Sequence, residues 1–200
     1  MDLARALILV VATGCYSFTT LGRARTVDRG HLELLAAPGA TGTLGTAGDA
    51  NLRPAIEIGG RYGIAEGADL GLRVSSAGAT ASARFQLVRA ARVEVLAAPG
   101  IAYTPADKLA LEIPLVLGID LGADQIVIAP SVVYQLRTGL PRALQFVFVG
   151  ASLGYVWQIA RRIALMPELA VLANAYVERG YGTFASAGPA MQAAVAILWD

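Results

Sequence analysis

Hydrophobic and polar residues alternate with a period of two along most of the chain, starting at His31. In the run Ile56–Ile64 the even positions are mainly isoleucine and tyrosine, whereas the odd positions are charged residues and glycines. The run Asp69–Val74 repeats this scheme. Because successive side chains of a β-strand point to opposite faces, the period predicts strands rather than helices. The residues between these two runs, Ala65–Ala68, include a glycine and predict a tight hairpin turn.

Further alternating runs cover most of the remaining chain. They are His31–Thr41, Ala83–Leu87, Arg92–Tyr103, Leu109–Leu121, Gln125–Leu136, Gln145–Ile159, Ile163–Tyr176 and Pro189–Trp199. A strand that crosses a membrane needs about 9–11 residues, and the length of the chain after Gly30 fits about ten such strands with their connections. Eight or twelve strands remain open alternatives on the same arithmetic.

The expected connections alternate between short and long. Short turns are expected at Glu66–Gly67, Arg89–Ala91, Gly122–Asp124 and Ala160–Arg162. Longer connections are expected at Gly42–Arg53, Ser76–Thr80, Thr104–Lys108, Arg137–Ala143 and Val177–Ser186. Short turns at one end and longer loops at the other are typical of up-and-down barrels of the outer membrane.

The two faces of these strands differ in chemistry. The face that carries glycine also carries the charged residues Glu57, Arg61, Arg73, Arg84, Glu94, Glu112, Asp120 and Glu168. Large aliphatic residues occupy the opposite face, and charged residues make up only 16% of the chain, against about 25% in ordinary soluble domains. A membrane barrel turns its aliphatic row to lipid and encloses small and charged side chains. We therefore expect an all-β, transmembrane, antiparallel up-and-down β-barrel with a charge network in its lumen.

Aromatic residues fall near the expected ends of the strands. Tyr62, Phe85, Trp157 and Trp199 lie toward the short turns, and Tyr103 and Tyr134 lie toward the longer loops. Amphipathic rings favour the two membrane interfaces, so this distribution supports the same orientation.

A helical membrane protein is the rival fold. The segment Ala143–Ala160 contains no charged residue over eighteen positions, which is enough to be considered as a spanning helix. However, it alternates with a period of two, and the preceding segment Leu109–Leu136 contains Glu112, Asp120 and Asp124. Each of these carboxylates would be costly in a helix surrounded by lipid. The pattern favours strands.

The N-terminus has the character of an export signal. A short apolar stretch, Ala6–Ala12, is followed by small residues and Cys15. This arrangement resembles the lipobox of bacterial lipoproteins, in which cleavage precedes an acylated cysteine. The resemblance implies a signal peptide over residues 1–14 and lipidation of Cys15. The polar and basic residues that follow, up to Gly30, are expected to form a tether, and residues 31–200 the barrel.

Candidate chemistry is sparse. His31 is the single histidine, Cys15 is the single cysteine, and no cluster with the spacing of metal ligands is present. The glycine-rich stretch Gly39–Gly48 lacks the lysine of a phosphate-binding loop. A formal net charge of +1 gives no electrostatic reason to expect nucleic acid. We therefore expect no cofactor, no metal and no enzymatic activity.

The region His31–Trp199, and above all the hairpin Ile58–Arg73, resembles the small outer-membrane β-barrel proteins of Gram-negative bacteria. The resemblance implies a place in the cell outer membrane, contact with its lipids, and insertion by the outer-membrane assembly machinery. It transfers no catalytic residues. The C-terminal strand ends on Trp199, which is similar to the terminal signal of that family, although Asp200 follows it.

Three functions are compatible with such a barrel. The first is a structural or surface-interaction role, for which the loop Val177–Phe184 offers aromatic residues among glycines. The second is a narrow, charge-lined channel for small solutes, in which the lumen charges would line the passage. The third is an enzyme acting on envelope lipids, which the lack of a histidine set disfavours.

Overall fold

The structure of the protein is a computed structural model, and it describes residues 17–44, 50–76, 78–104, 108–137, 144–177 and 189–200. These residues form β-strands joined by turns. The strands are β1 Leu32–Leu44, β2 Ala50–Ala65, β3 Ala68–Ser75, β4 Gly78–Arg89, β5 Val93–Ala97, β6 Gly100–Thr104, β7 Lys108–Leu121, β8 Asp124–Arg137, β9 Leu144–Ala160, β10 Ile163–Val177 and β11 Ala190–Trp199. Within the described ranges, no helix has the length and apolar character needed to cross a membrane.

The strands close into an antiparallel barrel. The strands from β7 to β11 pair in chain order, and β11 pairs with β1. The ring of paired strands continues from β1 through β2 and β3 to β4. β4 and β7 are bridged by β5 in one half and by β6 in the other. β5 and β6 therefore share one place in the ring, and the barrel has ten strand positions. The predicted fold class and the expected number of strands are confirmed.

The expected single strand Arg92–Tyr103 is interrupted at Ala98–Pro99. Proline has no backbone N–H, so Pro99 cannot donate to the ladder. The backbone of Ala98 still donates to the carbonyl of Pro114 at 3.0 Å, and the carbonyl of Pro99 accepts from the backbone of Ala83 at 3.0 Å. The interruption thus divides one barrel strand without opening the ring.

The two ends of the barrel differ in the length of their connections. Short turns at Glu66–Gly67, Ala90–Arg92, Gly122–Ala123 and Arg161–Arg162 lie at one end, which we call the turn end. Gly67 and Gly122 have φ values of 74° and 87°, the left-handed region in which glycine is favoured. The opposite, loop end has most of the longer connections. The expected long connection at Ser76–Thr80 is an exception, because β4 already begins at Gly78.

Alternate residues of each strand face opposite sides of the wall. The outward row is rich in exposed large side chains, among them Ile56, Ile58, Leu70, Leu72, Ile113, Leu153, Leu169 and Ile197. The inward row holds buried charged residues and glycines, as the two-row pattern predicts. It also holds larger apolar residues than we expected, including Leu35, Leu96, Val127, Met166 and Leu198. These side chains surround a segment of the chain that passes through the lumen.

Residues 17–29, which we call the luminal segment, lie inside the barrel. We expected a tether outside it, but Phe18, Leu21 and Ala24 are buried and belong to the two apolar clusters of the interior. The segment leaves the lumen where the backbone of Gly30 donates to the carbonyl of Gly63 at 2.8 Å. The physical reason for this placement is that the barrel wall supplies partners for the backbone of this polar and basic stretch.

Candidate functional site: the filled lumen

The luminal segment runs from the loop end toward the turn end. Near its start, the backbone of Phe18 donates to Gln192, which lies opposite Thr41 close to the loop end of β1. Near its finish, the backbone of Val27 donates to Asp69, close to the turn at the start of β3. The described part of the segment therefore occupies much of the length of the lumen.

Wall side chains accept hydrogen bonds from the backbone of the luminal segment along most of its course. Six N–H groups donate to side-chain oxygens of the wall at 2.7–3.1 Å. The pairs are Phe18 with Gln192, Thr20 and Leu21 with Glu168, Ala24 with Gln125, Thr26 with Gln86, and Val27 with Asp69. A buried N–H without a partner costs free energy comparable to a lost hydrogen bond. The wall thus satisfies a stretch of backbone that has no strand neighbour of its own.

Glu168 accepts three hydrogen bonds from the luminal segment. Its Oε1 accepts from the backbone of Thr20 at 2.7 Å and from the Thr20 hydroxyl at 3.0 Å. Its Oε2 accepts from the backbone of Leu21 at 2.7 Å. Hydrogen bonds to an ionised group contribute about 1.5–3 kcal/mol, more than neutral ones. A single carboxylate therefore holds two successive residues.

The carbonyl groups of the luminal segment are bound by arginine and glutamine from the wall. Arg73 donates to the carbonyl of Thr19. Arg84 donates to the carbonyls of Arg23 and Arg25, the latter at 2.9 Å. Gln86 donates to the carbonyl of Ala24 at 3.3 Å. The wall therefore forms hydrogen bonds with both the N–H groups and the carbonyl groups of the segment's backbone.

Three side chains of the luminal segment, at a spacing of three residues, pack into the interior. Phe18 lies in an apolar cluster toward the loop end, and Leu21 and Ala24 lie in a second cluster toward the turn end. Leu21 and Ala24 are completely buried. Full burial of a leucine side chain stabilises by about 1.5–3 kcal/mol. Apolar packing thus adds to the hydrogen bonds that hold the segment.

Two inward glycines make room for this segment. A Cβ on Gly63 would lie 2.1 Å from the carbonyl oxygen of Asp28, and a Cβ on Gly118 would lie 2.5 Å from the Cβ of Ala24. Neither position tolerates a side chain while the segment is in place. The glycines of the inward row are therefore explained, at these two positions, by the close approach of a second stretch of backbone.

Some of the predicted lumen charges are brought together. Arg73 donates to Glu57 at 2.9 Å, and its other nitrogen is 3.9 Å from Glu112. Glu57 also accepts from the hydroxyl of Ser17. This group joins three strands of the wall to the beginning of the luminal segment.

A second group lies near the turn end. The amide of Gln125 donates to Glu94 at 2.9 Å and to Asp120 at 2.8 Å. Glu94 also pairs with Arg25 of the luminal segment at 2.9 Å. Glu94 and Asp120 are thus linked through a neutral side chain, and Arg89 at the end of β4 lies 3.8 Å from Glu94.

The other three predicted charges find partners outside the predicted set. Arg61 pairs with Glu33, whereas Arg84 and Glu168 bind the backbone of the luminal segment. The interior is therefore not a network of charges paired across an open pore. Much of it is an assembly of charged and amide side chains around a peptide.

Sequence reasoning missed several residues of this site. They are Glu33, Asp69, Gln86, Gln125, Gln158 and Gln192, together with the luminal segment itself. Each of these wall residues has the inward parity of its strand, which was the available signal. A basic segment next to a barrel with an acidic interior was a second signal, because opposite charge favours its entry.

Among the described residues, the space beside the luminal segment is narrow. A cavity of about 40 Å³ lies between it and the wall, lined among others by Arg61, Arg73, Arg84 and Glu112. A wider vestibule of about 750 Å³ opens at the turn end. Charged and titratable residues of the vestibule are Arg23, Arg25, Asp28, His31, Glu33, Asp120, Arg161, Arg162 and Asp200. In the described part of the chain, the interior narrows from this vestibule to a cavity that holds only a few water molecules.

The predicted interface aromatics lie on the wall at both ends. Tyr62, Phe85, Trp157 and Trp199 are exposed toward the turn end, Tyr103 is exposed toward the loop end, and Tyr134 is half-buried there. Cys15 and most of the loop Val177–Phe184 lie outside the described residues. Within the described ranges, no group of three or more potential metal ligands is present.

Comparisons with known proteins bear on the fold alone. No protein-family model matches the chain, and no curated protein matches it in sequence. Among solved structures, it is similar to Neisserial surface protein A, with 9% identity, a TM-score of 0.40, and coverage of 84% of this chain and 94% of that one. It is also similar to the translocator domain of autotransporter NalP from Neisseria meningitidis, with 11% identity, a TM-score of 0.40, and coverage of 84% and 88%.

A third similar structure is an anion-selective porin from Comamonas acidovorans, with 11% identity, a TM-score of 0.23, and coverage of 84% of this chain and 98% of that one. At such identities and TM-scores the likeness is one of architecture and says nothing about activity. Evidence for the function therefore comes from the wall and the lumen of this protein.

Proposed function

We propose that this protein is a non-enzymatic outer-membrane β-barrel with a structural or surface-interaction role, and that its own luminal segment closes its lumen. The observation that carries the proposal is the series of backbone hydrogen bonds between residues 17–29 and the wall. A lumen occupied in this way leaves a cavity of about 40 Å³ beside the segment. Five charged residues of the inward row then serve to hold the segment, namely Glu57, Arg73, Arg84, Glu94 and Glu168.

The outer wall supports the membrane location. Its exposed residues are isoleucine, leucine and valine in the middle of the strands, with tyrosine and tryptophan toward the ends. In water, such a continuous apolar surface would promote association. Fractionation of the cell envelope, followed by heat-modifiable mobility on a gel, tests this location. Recovery in the periplasm without detergent would contradict it.

Lipidation of Cys15 is a separate proposal that rests on the lipobox resemblance. Metabolic labelling with a fatty acid is expected to mark the wild-type protein and not the Cys15→Ala variant. Equal labelling of both proteins would contradict it. Contact with outer-membrane lipids and insertion by the assembly machinery follow from the proposed location.

Conductance in planar bilayers tests the closed lumen. The full-length protein is expected to give no steady conductance, whereas Leu21→Asp, which places a charge in an apolar cluster, is expected to release the luminal segment and allow ions to pass. Steady conductance of the wild-type protein, with the backbone amides of the segment still protected from exchange, would contradict the proposal.

A narrow channel for small solutes is the alternative, and one observation favours it. The vestibule of about 750 Å³ at the turn end is lined by four arginines and four carboxylates, namely Arg23, Arg25, Arg161, Arg162, Asp28, Glu33, Asp120 and Asp200. Such a mouth offers charged groups of both signs to small ions. If the wild-type protein conducts and Arg161→Ala changes its ion selectivity, the channel replaces the closed barrel as the function.

A further inference from the structure

The wall of the lumen recognises the luminal segment mainly through its backbone. Glutamine and carboxylate oxygens bind N–H groups, and arginine and glutamine nitrogens bind carbonyls, from Phe18 to Val27. Backbone groups are common to all peptides apart from the missing N–H of proline. Contacts of this kind fix the course of the ligand's backbone, so the sequence of the ligand is restricted only by the side-chain contacts of the site.

We propose that the lumen is a binding site for an extended, net cationic polypeptide, and that residues 17–29 are its resident occupant. The same site would accept a separate peptide of this chemistry when the luminal segment is withdrawn. This inference rests on the filled lumen of the proposed function, and it is independent of the membrane in which the barrel lies.

The charges of the two partners are complementary. The buried residues of the described wall include six carboxylates, namely Glu33, Glu57, Asp69, Glu94, Glu112 and Glu168, and two arginines, namely Arg61 and Arg84. Arg73 is partly buried, and the exposed Arg89 lies 3.8 Å from Glu94 at the turn end. The luminal segment carries Arg23, Arg25 and Arg29 with one carboxylate, Asp28. A net negative interior around a net positive segment favours a cationic ligand over an anionic one.

The apolar contacts restrict the ligand further. The interior accepts a large ring at Phe18 and a leucine at Leu21, but it accepts only a small side chain at Ala24, whose Cβ lies beside Gly118. A Cβ on Gly22 would lie 2.4 Å from the Arg61 guanidinium. The expected ligand therefore has a large apolar residue, a second one three positions later, and a small residue three positions after that.

The test uses the full-length chain with its luminal segment displaced. In Ala24→Trp the indole has no room beside Gly118, so the segment is expected to leave the lumen. A synthetic peptide of residues 17–29, with a fluorophore at its C-terminus, is added in detergent and its anisotropy is measured. We expect saturable binding to Ala24→Trp and binding at least about tenfold weaker to the wild-type protein, in which the site is occupied.

A modified peptide tests the recognition of the backbone. Methylation of the nitrogens of Thr20 and Leu21 removes both N–H donors to Glu168 and leaves the side chains unchanged. We expect the affinity for Ala24→Trp to fall by about tenfold or more. A peptide of the same composition in scrambled order has the same charge and controls for electrostatic attraction alone.

Several results would overturn the inference. They are equal binding to the wild-type and variant proteins, equal binding of the scrambled peptide, no effect of methylation, and no binding at all. Leu21→Asp displaces the segment from a different position and replaces Ala24→Trp if that variant does not show the heat-modifiable mobility of the folded barrel. Bilayer conductance does not enter this test, so failure here is distinguishable from failure of the proposed closed barrel.

Discussion

The outer wall and the lumen are built from the same strands but follow different rules. On β2, Ile58 is 57% exposed on the outer wall, while its neighbour Glu57 is 3% exposed and binds both Arg73 and Ser17. In the proposed membrane location, an outward residue contacts only hydrocarbon and needs only to be apolar. An inward residue needs a partner at a defined position. The outer wall therefore depends on composition, whereas the lumen depends on individual contacts.

The largest expected difference between the two faces concerns a buried charge. Leu21→Asp places a carboxylate among apolar residues inside the barrel, where an unpaired charge is costly. We expect the luminal segment to leave the lumen and trypsin to cleave after Arg23 in detergent, whereas the wild-type protein resists cleavage there. Leu34→Asp, on the outer wall at a position that is 47% exposed, is the control. Cleavage after Arg23 in the control but not in Leu21→Asp would contradict this view of the lumen.

The second-largest expected effect is the loss of stability when an arginine is placed on the outer wall, and it tests whether that wall faces hydrocarbon. Ile58 lies in the middle of β2, and Ile64 lies in the same outward row near the turn end. In a lipid bilayer we expect Ile58→Arg to lower the free energy of unfolding by about 2–4 kcal/mol and Ile64→Arg by about 0–1 kcal/mol. Urea titration of both variants in vesicles gives the two values. Equal losses at both depths would show that the wall does not span the bilayer.

A smaller effect is expected at the carboxylate that holds the luminal segment. Glu168→Gln keeps the shape of the side chain but removes its charge and turns one acceptor into a donor, which disfavours the contact with the N–H of Leu21. A loss of about 1.5–3 kcal/mol in the local stability of the segment is expected. Hydrogen exchange of the Leu21 amide measures it. Glu66→Gln, in an exposed turn, is the control, and an equal effect there would contradict the assignment.

The smallest effect is expected for a charge pair at the edge of the lumen. The side chain of Arg25 is 45% exposed, and Glu94 keeps two other partners, Gln125 at 2.9 Å and Arg89 at 3.8 Å. Because water screens such a pair, Arg25→Ala is expected to cost less than about 1 kcal/mol. Thermal unfolding in detergent at low and high salt measures the change. A loss as large as that of Glu168→Gln would show that the pair anchors the segment.

The barrel could be predicted from the sequence because its signal is local. Alternation of apolar and polar residues repeats within each strand, as in Ile56–Ile64, and the glycines of Glu66–Gly67 and Gly122–Ala123 mark tight turns. Neither feature depends on what lies elsewhere in the chain. The interruption at Pro99 was missed because alternation continues across it, although the missing N–H was visible in the sequence.

The filled lumen could not be predicted in the same way. The partners of the luminal segment come from strands distant in the sequence, such as Gln86 on β4, Gln125 on β8, Glu168 on β10 and Gln192 on β11. Only closure of the ring brings them around one stretch of backbone. A polar and basic stretch without a periodic pattern is equally typical of a tether, and the pattern of a strand does not show which inward side chains share a partner.

The interruption at Ala98–Pro99 makes the ring mechanically uneven. Two five-residue strands, β5 and β6, take the place of one long strand between β4 and β7, so we expect each to open more easily than a full-length strand. Breathing motions of the barrel should start at this seam, because short strands with few neighbouring hydrogen bonds open at the lowest free energy. Lateral opening of the barrel between β4 and β7 would then cost less free energy than expansion of the whole ring.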